Sequence, residues 1–279
     1  MVDLNPVTSQ LMFVTVRVEC ESPNGASTGT AFFFDYLLNG KSELPMLMTN
    51  KHVVEGATSN RFRVHTAATP LTADLKPSGQ FTDITLVDQQ WLMHPDPDID
   101  LCAIPVAPLL ELARKQGHEI FRKAIKEGIV PFQTALNELP AMQNVVMVGY
   151  PTGLWDSANN LPILRRGVTA SHPALRFGGK QQGVVDIASF PGSSGSPIFA
   201  HDEIGFHSRN GFVFEQRIHF LGILFAGPQY RADGTVEVVE IPTHAVAVSQ
   251  THIPIHLGYY IRSAALVDFK TFVRSKLNC

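Results

Sequence analysis

From Gln10 to Val106 the chain is a succession of short apolar stretches cut by turn residues, and this pattern limits the fold more than any other feature. LMFVTVRVEC alternates apolar and polar positions, as a half-buried strand does. Ser22 to Ser27, carrying Pro23 and Gly25, reads as a turn; TGTAFFFDY, PMLMTN, RFRVHTA, ITLVDQQW and LCAIPV read as further strands. Strands this short and this frequent build a barrel or a sandwich rather than an α/β sheet. Residues 108–128 depart from the pattern. They are rich in helix formers, with Leu109, Leu112, Ile120, Phe121 and Ile125 at roughly helical spacing, and predict one or two helices that break at Gly117 and end near Gly128. Strands resume with QNVVMVGYP, RRGVTASH, QQGVVDIAS, SPIFA, RIHFLGILFAG, VEVVEIP and GYYIRSA, and the tail SAALVDFKTFVRSKL predicts a helix capped by Ser263. The expected organisation is mainly all-β: a first β unit over 10–107, a helical connector over 108–143, a second β unit over 144–262 and a closing helix over 263–279.

Composition narrows the class of partner. A chain of 279 residues with 44% hydrophobic and 17% charged residues has enough apolar side chains for a sizeable core. The formal net charge is −3 and the basic residues are scattered; the densest stretch, Arg114 to Lys126, is interrupted by Glu119. A phosphate backbone requires a clustered positive surface, so no nucleic-acid partner is expected. No apolar run reaches membrane-spanning length, and MVDLNPVTSQ lacks the features of a secretory leader. Cys20, Cys102 and Cys279 form an odd set without a CxxC, which points to a reducing compartment and a cytoplasmic location.

Acyl transfer at neutral pH needs an activated nucleophile, a base, a group that orients the base, and donors for the oxyanion. Three segments supply these residue types. His52, in LMTNKHVV, sits where an apolar strand gives way to a turn; with eleven histidines in the chain it carries little weight alone. Asp100, in DIDLCAIPV, stands at the mouth of an apolar strand, where a carboxylate can accept an imidazole Nδ1–H. Asp98 competes for that role, and Asp100 is preferred because the apolar run follows it directly. Ser194 lies in FPGSSGSPIF, where flanking glycines let the Gly192 and Ser194 amides turn toward one point as an oxyanion hole. The hexapeptide alone is equally compatible with a plain hairpin loop. The chain order His, Asp, Ser and the strand-like SPIFA after the serine argue against a GxSxG elbow, which needs Ser196 to be glycine and a helix to follow.

Together these segments resemble the trypsin-like peptidases of the chymotrypsin fold, and within them the HtrA/Deg-type branch. TGTAFFFD with MLMTNKHVV is similar to that branch's histidine region, DLCAI to its aspartate motif, VVMVGYPTGL and RRGVTASH to the opening of its second barrel, and DIASFPGSSGSP to its nucleophile loop. The resemblance runs in family order from about Val14 to Phe269. It implies a double six-stranded β-barrel and a serine endopeptidase with His52 as base, Asp100 as orienter and Ser194 as nucleophile, with Gly192 and Ser194 amides as oxyanion donors. Two positions depart from the family pattern: Ser196 replaces a glycine, and Ser193 replaces the Asn or Asp usual there. Zymogen cleavage of the digestive type, in which that Asp pairs with a new N-terminus, is therefore not expected, nor is an appended PDZ domain.

The family pattern also places the base of the primary specificity (S1) pocket at Ala188, with Phe225, Ala226 and Gly227 on one wall and Gly258 on another, which implies an apolar P1 residue in a protein or peptide substrate. A cytosolic peptidase needs restraint, so a narrow substrate range or a regulatory protein partner is expected. A different class of function, a silent protease fold used as a binding module, remains the alternative. No cofactor is implied. His252 and His256 are four apart but separated by Pro254, and no further ligand completes a metal site.

Overall fold

The computed structural model describes residues 3–23, 25–40, 42–69, 75–208, 211–227, 229–236, 247–254 and 256–279, with 229–236 and 247–254 described at backbone level. After a short helix α1 (Val7–Leu11) the first sheet comprises β1 (Thr15–Ser22), β2 (Gly25–Leu38), β3 (Ser42–Thr49), β4 (Ser59–Ala67), β5 (Pro77–Val87), β6 (Leu92–Met93), β7 (Cys102–Pro105) and β8 (Ile125–Lys126). Its order is β5-β4-β1-β2-β3-β7-β6, and β8 pairs with β2. Six strands make up the body of the sheet; β6 and β8 are two-residue additions. Helix α2 (Lys51–Val54) follows β3, and α3 (Ala107–Lys115) follows β7.

The second half closes completely. Strands β9 (Asn144–Gly149), β10 (Ile163–Thr169), β11 (Gln182–Asp186), β12 (Pro197–Asp202), β15 (Arg217–Ala226) and β18 (Leu257–Arg262) form a barrel in the order β10-β11-β18-β15-β12-β9. Two ribbons lie outside it: β13 (Phe206–Ser208) with β14 (Gly211–Val213), and β16 (Gln229–Val236) with β17 (Ala247–Pro254). A short α4 (Gln133–Asn137) precedes the barrel and α5 (Ser263–Leu277) ends the chain. The architecture is that of a chymotrypsin-like double β-barrel with a C-terminal helix. Most of the expected strand VEVVEIP lies outside the described residues. Among the described residues no helix is long and apolar enough to cross a membrane. All three cysteines are unpaired.

Three expectations are corrected. Residues 108–128 are α-helical only over α3, and the rest of the 108–143 connector holds one further short α-helix, α4. Gly117, at φ +80°, ends the helix, and residues beyond it are extended: Ile120 bridges Thr66, and β8 runs parallel to Phe34–Asp35. The reason is tertiary. Asp35 is buried in β2 and accepts hydrogen bonds from Arg122 Nη1 at 3.2 Å and Lys126 Nζ at 2.7 Å, and satisfying that charge draws the segment onto the sheet. At the start of the chain, Val7–Leu11 is a helical turn, so the first strand begins at Thr15 rather than at Leu11. In α5, Ser263 is the first helical residue and Arg262 holds the N-cap position without a side-chain cap.

Strand parity sorts the apolar residues into three cores. In β2, Ala31 and Phe33 face the interior of the first sheet, while Phe32, Phe34 and Tyr36 face a second cluster shared with Val148, Phe199, Phe220, Ile223 and Ile261 of the second barrel and with Leu266, Phe269 and Val273 of α5. The second barrel has its own interior around Val145, Met147, Val185, Ile198, Leu221 and Tyr260. Phe220 meets Phe32 and Phe199 at ring-centroid distances of 5.7 and 5.6 Å, so the shared cluster joins the two halves. The halves also meet at Gly195, whose φ is +86°; a Cβ there would lie 1.7 Å from the Thr30 carbonyl oxygen and 2.7 Å from Thr49 Oγ1.

Two predictions test this seam. Phe220→Ala is expected to destabilise the protein by about 3–5 kcal/mol in urea unfolding, because it opens a cavity at the junction. Gly195→Ala, which meets backbone and adopts a disfavoured φ, is expected to cost about 3 kcal/mol or more in the same measurement; a cost below about 1 kcal/mol would mean that the seam is looser than it looks.

Candidate active site

The site is assembled at the seam. Thr30, in β2, takes part in five hydrogen bonds there: its amide donates to Ser194 O at 2.9 Å, its carbonyl accepts from Thr49 Oγ1 at 2.7 Å, its hydroxyl donates to Gly192 O at 3.2 Å, and that hydroxyl accepts from the Tyr150 amide at 3.1 Å and from Ser196 Oγ. One residue thus touches the strand end that leads to His52, the nucleophile turn and the start of the second barrel. Thr49 ends β3, and Asn50 extends (φ −84°, ψ 151°) before α2 carries His52.

His52 and Asp100 meet directly. His52 Nδ1 lies 2.5 Å from Asp100 Oδ2, and the His52 amide donates to Asp100 Oδ1 at 3.1 Å, so both carboxylate oxygens face the histidine. Asn50 Nδ2 donates to the Asp100 carbonyl at 2.7 Å and fixes the aspartate's backbone. The imidazole is 46% exposed and its partner carboxylate 24% exposed, which leaves the other ring nitrogen open to a reactant. Asp98, the competitor in sequence, is exposed, and its amide turns back to Asp96 Oδ1.

The loop 187–196 carries the remaining parts. Gly192 has φ +80°. Ser193 is fully buried; its amide donates to Phe190 O at 3.0 Å and its carbonyl accepts from the Ser196 amide at 3.0 Å. Among the described residues, neither the Gly192 nor the Ser194 amide has a protein acceptor. Ser194 is partly exposed, and no hydrogen bond joins its hydroxyl to His52; such contacts in unliganded enzymes commonly form only when substrate binds. Ser196 is buried, and its hydroxyl donates to Thr30 Oγ1 at 3.3 Å, so the serine that replaces a glycine is absorbed by the seam.

The expected pocket residues converge. A Cβ on Gly258 would meet Ser189 Oγ and Leu224, and one on Gly227 would lie 3.7 Å from Ser189 Cβ, which places both beside the 188–189 segment. Ala226 pairs with Tyr259 at the end of β15, Phe225 is half-buried against the Tyr259 ring, and Ala188 is partly exposed. Among the described residues no group of three or more His, Cys, Asp or Glu could hold a metal ion; the His252 side chain lies outside them. Sequence reasoning missed Thr30, Thr49, Asn50 and Arg165. The first three act through contacts distant in sequence. Arg165 carried one readable signal, a charged residue placed where ILRRGVT should turn a side chain into the barrel.

Residues 29–204, a span that holds His52, Asp100 and Ser194, match the trypsin-like peptidase domain. A comparison with curated protein sequences finds no match. Among solved structures the chain is similar to a thermostable serine protease from an extremophilic microorganism, at 12% identity and a TM-score of 0.45 over 92% of this chain and 95% of that one. It is also similar to the serine endoprotease from Yersinia pestis, at 15% identity and a TM-score of 0.45 over 97% of this chain and 66% of that one. With well over half of its length matched to the domain, the chain belongs to the trypsin-like peptidase family.

Proposed function

We propose that the protein cleaves peptide bonds in protein substrates through a His52–Asp100–Ser194 triad and an acyl-enzyme. Ser194 Oγ attacks the scissile carbonyl while His52 Nε2 takes its proton and later delivers it to the leaving amine. Asp100 holds the imidazole tautomer that leaves Nε2 free and stabilises the imidazolium as it forms. The tetrahedral oxyanion is received by the Gly192 and Ser194 amides. The observation that supports this reading is the two-point contact between His52 and Asp100, at 2.5 and 3.1 Å, on the same seam as two amides without acceptors. Ala188, Phe225, Ala226, Gly227 and Gly258 carry no carboxylate, so an apolar P1 side chain fits the pocket and cleavage after Lys or Arg does not. Activity is restricted, by a narrow substrate range or by a regulatory protein partner.

Labelling of the purified protein with a fluorophosphonate probe tests the triad: wild type is expected to label and Ser194→Ala to give no signal. A well-folded wild type that stays unlabelled would instead mean that the free chain has no assembled triad, as a protease gated by a partner or a binding module on a protease fold would have none. Asp100→Asn is expected to lower the labelling rate on the order of 10⁴-fold with the fold intact by circular dichroism, since the imidazole is then held in the wrong tautomer. A loss of tenfold or less would remove Asp100 from the triad.

A further inference from the structure

Beneath the nucleophile loop lies a charged side chain that the proposed mechanism does not use. Arg165 sits in β10 opposite Met147 of β9, and Met147 belongs to the interior of the closed barrel, so Arg165 projects to the same inner face. Its guanidinium reaches two acceptors, both in the loop: Nη1 donates to the Ala188 carbonyl and Nη2 to Ser193 Oγ, the latter at 2.9 Å. Nε is buried without a partner, and no carboxylate pairs with Arg165 among the described residues. Burial pushes its pKa down to about 10. A partly buried cation without a counter-ion contributes little to stability, and a planar fork that spans two loop acceptors suits fixing a shape rather than holding a point charge.

The residue it holds is the one that matters for the oxyanion. Ser193 lies between Gly192 and Ser194, the two residues whose amides have no acceptor among the described residues, and it is fully buried. Its hydroxyl also accepts from the Phe190 amide at 3.4 Å, and its own amide and carbonyl are bonded to Phe190 and Ser196. Ala188 anchors the other end of the same turn. We propose that Arg165 is a positioning residue: by bridging Ser193 and Ala188 from inside the second barrel, it holds the Gly192 and Ser194 amides convergent on the oxyanion. This rests on the reading of those amides as the oxyanion hole. The hold comes from within the barrel and needs no new chain terminus.

The test compares wild type, Arg165→Met, Arg165→Lys, Ser193→Ala and the Arg165→Met/Ser193→Ala double variant. It reads fluorophosphonate inactivation as kinact and KI, together with the melting temperature. Arg165→Met is expected to lower kinact about 100-fold, the scale of one lost oxyanion donor, with KI unchanged and Tm within about 4 °C. Arg165→Lys should recover at least part of that loss. The double variant should fall no further than the worse single variant, because both substitutions break one link. If Arg165→Met does not fold, Arg165→Lys and Ser193→Ala carry the same comparison. Wild-type kinact in Arg165→Met overturns the inference while leaving the triad standing. So does a variant that keeps kinact but changes P1 preference, which would make Arg165 a pocket residue. An unlabelled wild type overturns both this inference and the assembled triad it rests on.

Discussion

The contact between Gly195 and the carbonyl of Thr30 sets the terms for the rest of the molecule. There is no room for a Cβ between the nucleophile turn and β2, so the turn can approach only as glycine, and the Thr30 amide then holds Ser194 by its carbonyl. Because Thr49 binds that same Thr30 carbonyl, the strand that leads to His52 is referenced to the point that references Ser194. Asn50 extends the frame to Asp100. Residues from three distant parts of the chain are thereby located relative to one backbone position rather than to one another. The arrangement of the proposed triad is a by-product of how closely two sheets approach.

That approach depends in turn on strands with two buried faces. β2 gives Phe33 to one core and Phe32 and Phe34 to another, and β12 divides Ile198 and Phe199 in the same way. A strand of this kind cannot slip by one residue without exchanging its cores, so register is strongly specified where the seam needs it. Two polar groups that share the interior are satisfied from distant parts of the chain: Asp35 has Arg122 and Lys126, and Tyr36 donates its hydroxyl to Leu266 O at 2.7 Å.

How much of this was readable beforehand follows from the range of each interaction. Period-two alternation located most of the strands because it is a local consequence of one-sided burial, and the tail helix was located as well, with Ser263 its first residue rather than its cap. Of the site, His52 and Asp100 were legible through the strand ends that carry them, and Ser194 through its glycines; the structure joins the first two directly. Residues 118–126 were misread as helix because their composition favours one, whereas Asp35, some 90 positions earlier, decides their conformation. Thr30 was invisible for the same reason: nothing in TGT announces a partner in GSSG. Arg165 was read only as part of the strand RRGVTASH, and its inward place follows from the closure of the barrel.

Helix α5 has a consequence in time rather than in space. Leu266, Phe269 and Val273 complete the cluster that covers Phe32, Phe34 and Tyr36, and Lys270 binds Leu37 O and Glu127. During synthesis at about 5–20 residues per second, the apolar face of β2 therefore waits on the order of tens of seconds for its cover. Until then the cluster that joins the two halves lacks the side chains of α5, so the order of synthesis makes this seam one of the last contacts to be completed.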